Sequence, residues 1–341
     1  MDERAFTPPP RPTLEAVAEV AGVSRATVSR VMNGSPKVSA AVRTSVEAAI
    51  RELGYIPNRA ARTLVTRRTD AVALIISEPE QHLFSHPFFA SVVRAASQEL
   101  AAADIQMVLL MVRGPYDQSR IERYLTGGHV DGALAIASHR HDRLPSIAQR
   151  LPMPLVFAGT PWVGQGGLSY VDMDNRGGAR TAVTHLLRTG HRRIATITGP
   201  LDQLSSVHRL DGYRDALPEG HSALVEEADY SQAGGERAMT ALLEREPRLD
   251  GVFAASDPMA AGAYRALRRA GRRVPDDTAV VGFGDDEELA LYLEPPLTTV
   301  HQAVDGQVRR MVELLLARLR GDTDQPQSDV LPTQLVLRSS A

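Results

Sequence analysis

The sequence predicts two fold classes in one chain. They are an all-α helix-turn-helix head over residues 12–57 and a two-lobed α/β body over 70–341, joined by a hinge and linker at 58–69. Three observations predict this. A chain of 341 residues with 43% hydrophobic content exceeds one small module and suffices for two or three cored units. The net charge of −3 divides unevenly: residues 1–69 hold eleven Lys+Arg against six acids, a balance of +5, which leaves −8 for the rest. Finally, the apolar pattern changes near residue 70, from helical periodicity to strand-length apolar runs separated by amphipathic segments.

In the head, Leu14, Val17, Ala18 and Ala21 recur at helical spacing, with Thr13 placed to cap the helix and Gly22 to break it. Ser24 caps a second helix in which Val28, Val31 and Met32 face inward. Arg25, Ala26, Ser29, Arg30 and Asn33 then fall on the exposed side. Two short helices joined by Ala21-Gly22-Val23 form a helix-turn-helix, whose second helix is suited to enter a DNA major groove end-on. There Arg25 and Arg30 match the paired acceptors of guanine, and the hydroxyls of Ser24, Thr27 and Ser29 match phosphate oxygens. A third helix is expected from about Ala40 to Leu53, with Val42, Val46, Ala49, Ile50 and Leu53 on one stripe, Ser39 as cap and Gly54 as stop. Pro57 separates the short basic element Asn58–Leu64, too short for a stable helix alone. A basic head on an acidic body implies that only the head meets a polyanion.

The run TLEAVAEVAGVSRATVSRVMNGSPKVSAAVRTSVEAAIRELGYIPNRAARTL resembles the head and hinge of the lactose/galactose-repressor (LacI/GalR) family without gaps. The resemblance implies a hinge helix at Asn58–Leu64 that folds only on DNA and pairs with its dimer mate in the minor groove. Leu64 would wedge into the central base step, with Asn58 and Arg62 beside it on the DNA. It also implies a homodimer on a pseudo-palindromic operator. The competing reading of the residues alone is a three-helix protein-docking module with a solvated basic face.

In the body, residues 71–77, 106–111, 132–137, 154–159, 193–199, 251–256 and 279–283 read as buried parallel strands. They are too many for one ordinary doubly wound sheet, so two lobes with a cleft are expected, and ligands in such folds lie beyond the carboxyl ends of the strands. The family resemblance extends through the body, which is similar to a type I periplasmic sugar-binding protein. PPLTTVHQ (295–302) matches the family's return crossover. The lobes are therefore expected over about 70–169 with 301–329, and about 170–300 with 330–341.

A sugar cleft needs planar polar groups for hydroxyls and aromatic faces for C–H surfaces. The resemblance places Arg209 at a family position that bonds effector hydroxyls and Tyr230 at a stacking position. Ser256-Asp257 stands where the family usually has Asn-Asp. In VGFGDDEE the expected acid is displaced by Gly284, which leaves Asp285, the favoured choice, or Asp286. Asp174, in YVDMDNRGG, and Gln302 complete the polar set. The segment from Ser77-Glu78-Pro79 to Phe88-Phe89 resembles actinobacterial repressors that sense cello-oligosaccharides. Phe88 and the sole Trp162, with Phe84, are the candidate platform for more than one sugar ring. Against each stands the plainer reading of a strand-end acid as a helix cap, or an aromatic as core.

No cysteine is present, which excludes disulfides, thiolate nucleophiles and cysteine-held metals. The pairs His82/His86 and His139/His141 lack the neighbouring carboxylates or HExxH pattern of a metal site, so no metal and no cofactor is expected. Neither a Walker loop nor GxGxxG follows a strand, and no catalytic residue is assigned, which argues against the enzyme alternative. Without an apolar run of about 18 residues or a secretory start, the expectation is a cytoplasmic protein with no membrane partner rather than an exported sugar carrier. Whether the effector induces or corepresses stays open.

Overall fold

The computed structural model describes residues 12–32, 35–55 and 68–341, and the chain divides into two compact units between Thr69 and Asp70. In the first unit α1 (Leu14–Val20), α2 (Arg25–Met32) and α3 (Ala40–Leu53) close on Val17, Val28, Val31, Val46, Ala49 and Tyr55. The helices begin where hydroxyls cap them. The Thr13 Oγ1 accepts from Ala16 N at 3.3 Å, Ser24 Oγ from Thr27 N at 3.2 Å and Ser39 Oγ from Val42 N at 3.4 Å. Gly54, at φ +59, ends α3 in the left-handed conformation that costs glycine least. Ser45 Oγ donates to Ala21 O at 3.2 Å and ties the turn between α1 and α2 to α3.

The second unit is built on two six-stranded sheets. The first contains β1 (Ala71–Ile76), β2 (Gln106–Met111), β3 (Gly132–Ile136), β4 (Leu155–Ala158), β5 (Ser169–Met173) and β11 (Ser328–Leu331), all parallel, in the order β11-β5-β4-β3-β1-β2. Alternate residues of β1 serve two cores. Val72, Leu74 and Ile76 pack under α5 (Pro87–Ala102) and α13 (Val304–Arg320), while Ala73 and Ile75 pack under α6 (Pro115–Thr126). A short α4 (Glu80–Ser85) precedes α5, and α7 (Leu144–Ala148) lies between β3 and β4.

The second sheet contains β6 (Ile194–Thr198), β7 (Leu224–Glu227), β8 (Gly251–Ala254), β9 (Ala279–Gly284), β10 (Thr298–His301) and β12 (Gln334–Val336). Its order is β12-β10-β9-β8-β6-β7, with only β12 antiparallel. Helices α8 (Asn175–Arg188) and α9 (Leu204–Ala216) cover one face, α10 (Gln232–Arg245) and α11 (Asp257–Arg269) the other, and α12 (Glu287–Tyr292) follows β9.

The chain passes between the sheets three times, after Met173, after His301 and after Leu331. β5 keeps residues to 173 in the first sheet and β11 extends to 331, so the passages lie a few residues from the positions read off the sequence. One strand differs in burial. β2 was expected to be buried, but as an edge strand it is only partly covered, and Leu109 is exposed.

Candidate functional site

On α2 the side chains of Arg25, Ala26 and Arg30 are exposed, and Thr27 and Ser29 are half-buried. Ser24 Oγ also lies 2.9 Å from Thr27 Oγ1, so these two hydroxyls fix the helix start as well as facing outward. Arg25 Nη1 meets Glu15 Oε1 at 3.2 Å with both side chains mostly exposed. Such a pair contributes at most about 1 kcal/mol and leaves the guanidinium free to exchange it for a stronger acceptor. The expected DNA contacts Asn33, Asn58, Arg62 and Leu64 lie outside the described residues.

Residues that follow strands of the first sheet meet residues that follow strands of the second, as Glu78 meets Gln203 and His86 meets Tyr230, and Arg209 of α9 lies buried at the carboxyl end of the second sheet. Its Nε donates to Asn175 Oδ1 at 2.8 Å, Nη1 to Ala255 O at 2.6 Å and Nη2 to Gln302 Oε1 at 3.3 Å. The guanidinium carbon sits 3.8 Å over the Phe283 ring. These bonds reach two of the passages between lobes, through Asn175 and Gln302. Asn175 Nδ2 in turn donates to Asp172 Oδ1 at 3.0 Å, and Asp172 Oδ2 accepts from the Thr160 hydroxyl at 2.6 Å.

Asp257, buried at the start of α11, accepts from Thr299 Oγ1 at 2.5 Å and from Asp286 N at 2.8 Å. Burial pushes its carboxyl up to about 6 despite those donors. Ser256 caps α11, accepting from Met259 N at 3.4 Å. Tyr230, at φ +61, sets its hydroxyl 2.6 Å from Ser206 Oγ. Its ring occupies the space a side chain at Gly199 would need, since a Cβ there would lie 2.1 Å from Tyr230 Cζ. His86 faces Tyr230 edge-on at 6.2 Å and packs beside Phe88 and Phe89. Its Nδ1 accepts from Phe88 N at 3.3 Å, and burial lowers its pKa to about 4, so it presents a neutral ring.

Several expected residues have other work. Asp285 was favoured for the cleft, but its carboxylate accepts from Arg338 Nη2 at 2.7 Å and lies 3.0 Å from His301 Nδ1. Gly284, at φ +135, makes a turn after β9 that directs Asp285 to Arg338 and His301, while Asp286 caps α12, accepting from Leu289 N at 2.9 Å, and with Glu78 is one of two acids whose charges bear on His86. Asp174 is exposed and caps α8, accepting from Gly177 N at 2.8 Å. Trp162 donates from Nε1 to Asp202 O at 2.7 Å, across to the second lobe, and one ring face carries Arg140 at 4.2 Å.

Four polar residues were not assigned to the cleft from sequence: Glu78 after β1, His139 after β3, and Asp202 and Gln203 after β6. Gln203 Nε2 donates to Glu78 Oε1 at 2.7 Å, and His139 Nδ1 lies 2.9 Å from Asp202 Oδ2. Their common signal is position at a strand's carboxyl end, which they share with Tyr230 and Asp257. Among the described residues no group of three or more His, Cys, Asp or Glu is arranged to hold a metal ion, and no helix is long and apolar enough to cross a membrane.

Residues 13–58 match the model of bacterial regulatory proteins, lacI family, and residues 183–341 match a periplasmic binding protein-like domain. The chain is 50% identical over 335 residues to the HTH-type transcriptional regulator CelR of Thermobifida fusca, covering 97% of this chain and 98% of that one. A solved transcriptional regulator CelR-cellobiose complex is similar at TM-score 0.77 and 46% identity, covering 97% and 100% of the two chains. A lac repressor dimer bound to operator and the anti-inducer ONPF is similar at TM-score 0.84 and 30% identity, covering 97% and 99%.

Proposed function

The chain belongs to the lacI family of bacterial regulatory proteins, and on that premise we propose that it is a transcriptional repressor. It binds a pseudo-palindromic operator as a homodimer and changes its grip when a small sugar enters the cleft. The sugar is cellobiose or a related cello-oligosaccharide, the reading supported by the likeness to a regulator solved with cellobiose. It works in the cytoplasm, where its operator is.

The observation that carries this reading is the union in one chain of two unlike surfaces. An exposed helix bearing Arg25 and Arg30 is shaped for base edges, while Arg209, Tyr230, Asp257 and Gln302 gather beyond the carboxyl ends of second-sheet strands, with His86 of the first lobe against Tyr230. In the head, Thr13, Ser24, Arg25, Ala26, Thr27, Ser29, Arg30 and Asn33 meet the major groove, and Asn58, Arg62 and Leu64 meet the minor groove. In the body, Asp286 takes the part first given to Asp285, and the neutral His86 and Phe88 supply apolar faces beside Tyr230. Gel shift with the fragment upstream of a cellulose- or cellobiose-utilisation gene, with and without cellobiose, tests it. A sequence-specific shift altered by cellobiose but not by ribose is expected. Equal binding to random DNA, or a shift indifferent to a panel of sugars, overturns it.

A further inference from the structure

The lobes touch at a cluster separate from the Arg209 base. Glu78 and His139, at the ends of two strands of the first sheet, meet Asp202 and Gln203, which follow β6 of the second. Backbone joins in: Arg140 N donates to Asp202 O at 2.8 Å, and His139 pairs with Gln203 as an isolated antiparallel bridge.

The two nitrogens of the His139 ring both meet carboxylate oxygens. Nδ1 is 2.9 Å from Asp202 Oδ2, and Nε2 is 3.3 Å from Glu78 Oε1. A neutral imidazole carries one N–H, so one of these contacts would set lone pair against lone pair; an imidazolium satisfies both. Gln203 Nε2 lies 3.2 Å from His139 Nε2 but spends its shorter bond, 2.7 Å, on Glu78. The other groups facing the ring deepen its need for charge. Asp142 accepts from His139 N at 2.9 Å and is itself held by Gln118 of α6 at 2.9 Å. On α4, His82 Nδ1 lies 3.2 Å from the second oxygen of Glu78. Arg140, the nearby cation, is turned over the Trp162 ring. Three carboxylates thus surround one imidazole, and two of them approach it from opposite lobes.

We infer that His139 is a proton-operated clasp: its imidazolium joins Glu78 of one lobe to Asp202 of the other, closing the lobes takes up a proton, and effector affinity falls as the medium turns alkaline. The last step rests on the proposed function, in which the effector is enclosed by the closed lobes. Hydrogen bonds and the charges of Glu78 and Asp202 outweigh burial and raise the His139 pKa from 6.5 to about 9 in the closed arrangement. The raised pKa fixes the sign. The clasp holds at neutral pH and is lost as pH rises through about 9; opening takes Asp202 away but leaves Glu78 in His139's own lobe, so the proton bound on closing is the share that Asp202 adds. Closing therefore binds at most one proton, so affinity falls by at most about tenfold per pH unit.

Trp162 is the sole tryptophan and bonds to Asp202 O, which makes its emission a reporter of closure that needs no ligand. Acrylamide quenching of the ligand-free full chain is measured from pH 6 to 10 in wild type, His139→Gln and Asp202→Asn, all sharing the same tyrosines. Wild type is expected to be shielded near pH 7 and to gain quenching through about pH 9. His139→Gln should be quenched throughout with no such step. Asp202→Asn, a change at a part-exposed side chain, should move the step to lower pH, and it serves if His139→Gln fails to fold. A wild-type profile without a step, or the same step in both variants, overturns the clasp. Calorimetry with cellobiose in phosphate and in Tris at pH 7.5 then tests the coupling. Net uptake of protons, up to one per site, supports it, and binding without proton exchange overturns it. Absence of any cellobiose heat beside an intact fluorescence step upholds the clasp and instead refutes the effector reading.

Discussion

Arg209 gives three hydrogen bonds to acceptors that have few other ways of being satisfied, and it does so where burial lowers its pKa from the usual arginine value. Arg209→Ala would leave Asn175 Oδ1, Ala255 O and Gln302 Oε1 facing a void, a loss of about 2–5 kcal/mol. Thermal unfolding of the body should fall accordingly, and the effector-dependent gel shift should vanish while operator binding without effector persists, because the head has its own core. Retention of a normal sugar response would remove Arg209 from the cleft. The two neighbouring acids separate in the same way. Asp286→Asn is expected to weaken effector binding about tenfold or more, as loss of a charged hydrogen-bond partner does. Asp285→Asn, by releasing Arg338, should lower stability and leave effector affinity within about twofold, so the reverse pattern in calorimetry and thermal shift would restore Asp285. Arg209 and Gln302 keep the family's spacing in the sequence, and the structure joins them by a hydrogen bond. The surroundings of the two acids are not legible in the sequence, because Gly284 adds a residue to the turn, and only the backbone shows that Asp285 turns to Arg338 and Asp286 to the start of α12. Trp162 resembles a sugar platform in the sequence, where nothing in its neighbourhood announces its bond to the Asp202 carbonyl of the opposite lobe.

Among the elements, the head helices were the most legible, since each start carries a hydroxyl and α3 ends at a glycine. Ser24 matters most among these caps because α2 is only eight residues long and bonds Ser24 at both Thr27 N and Thr27 Oγ1. Ser24→Ala is expected to cost the head about 1 kcal/mol and to lower operator affinity, while Ser24→Asp restores the head's melting temperature without restoring DNA binding, since a carboxylate caps well but repels phosphate. A single melting curve for both variants and wild type would show that Ser24 caps nothing. The strands divide by position. Central ones such as β1, buried on both faces, are visible as apolar runs, whereas β5, β7, β11 and β12 are short, carry polar residues and pass for loops. Missing β5 and β11 is what displaced the expected lobe boundaries, because each lies at a passage between sheets.

At the scale of the whole molecule, the head, hinge and cleft form a regulator only if occupancy at one site alters the other. Thermodynamic reciprocity requires operator DNA to change effector affinity by the same factor as effector changes operator affinity, typically about 5–150-fold. Titrating cellobiose against the dimer with and without operator, at fixed salt, checks this. Equal affinities alongside a clear effector-dependent gel shift would break the linkage. The passages between the lobes also bear on how the protein is made. Val308, Met311, Leu314 and Leu315 of α13 fill the first lobe's core beside β1 and α5, and β11 completes its sheet, yet the ribosome produces them after nearly all of the second lobe. The earlier lobe must therefore wait on the nascent chain with Val72, Leu74 and Ile76 covered by α5 but not yet by α13, while the second, apart from β12, can already assemble. The first-made half of the body is thus the last to be finished, and its unfilled core is the surface that chaperones would meet during synthesis.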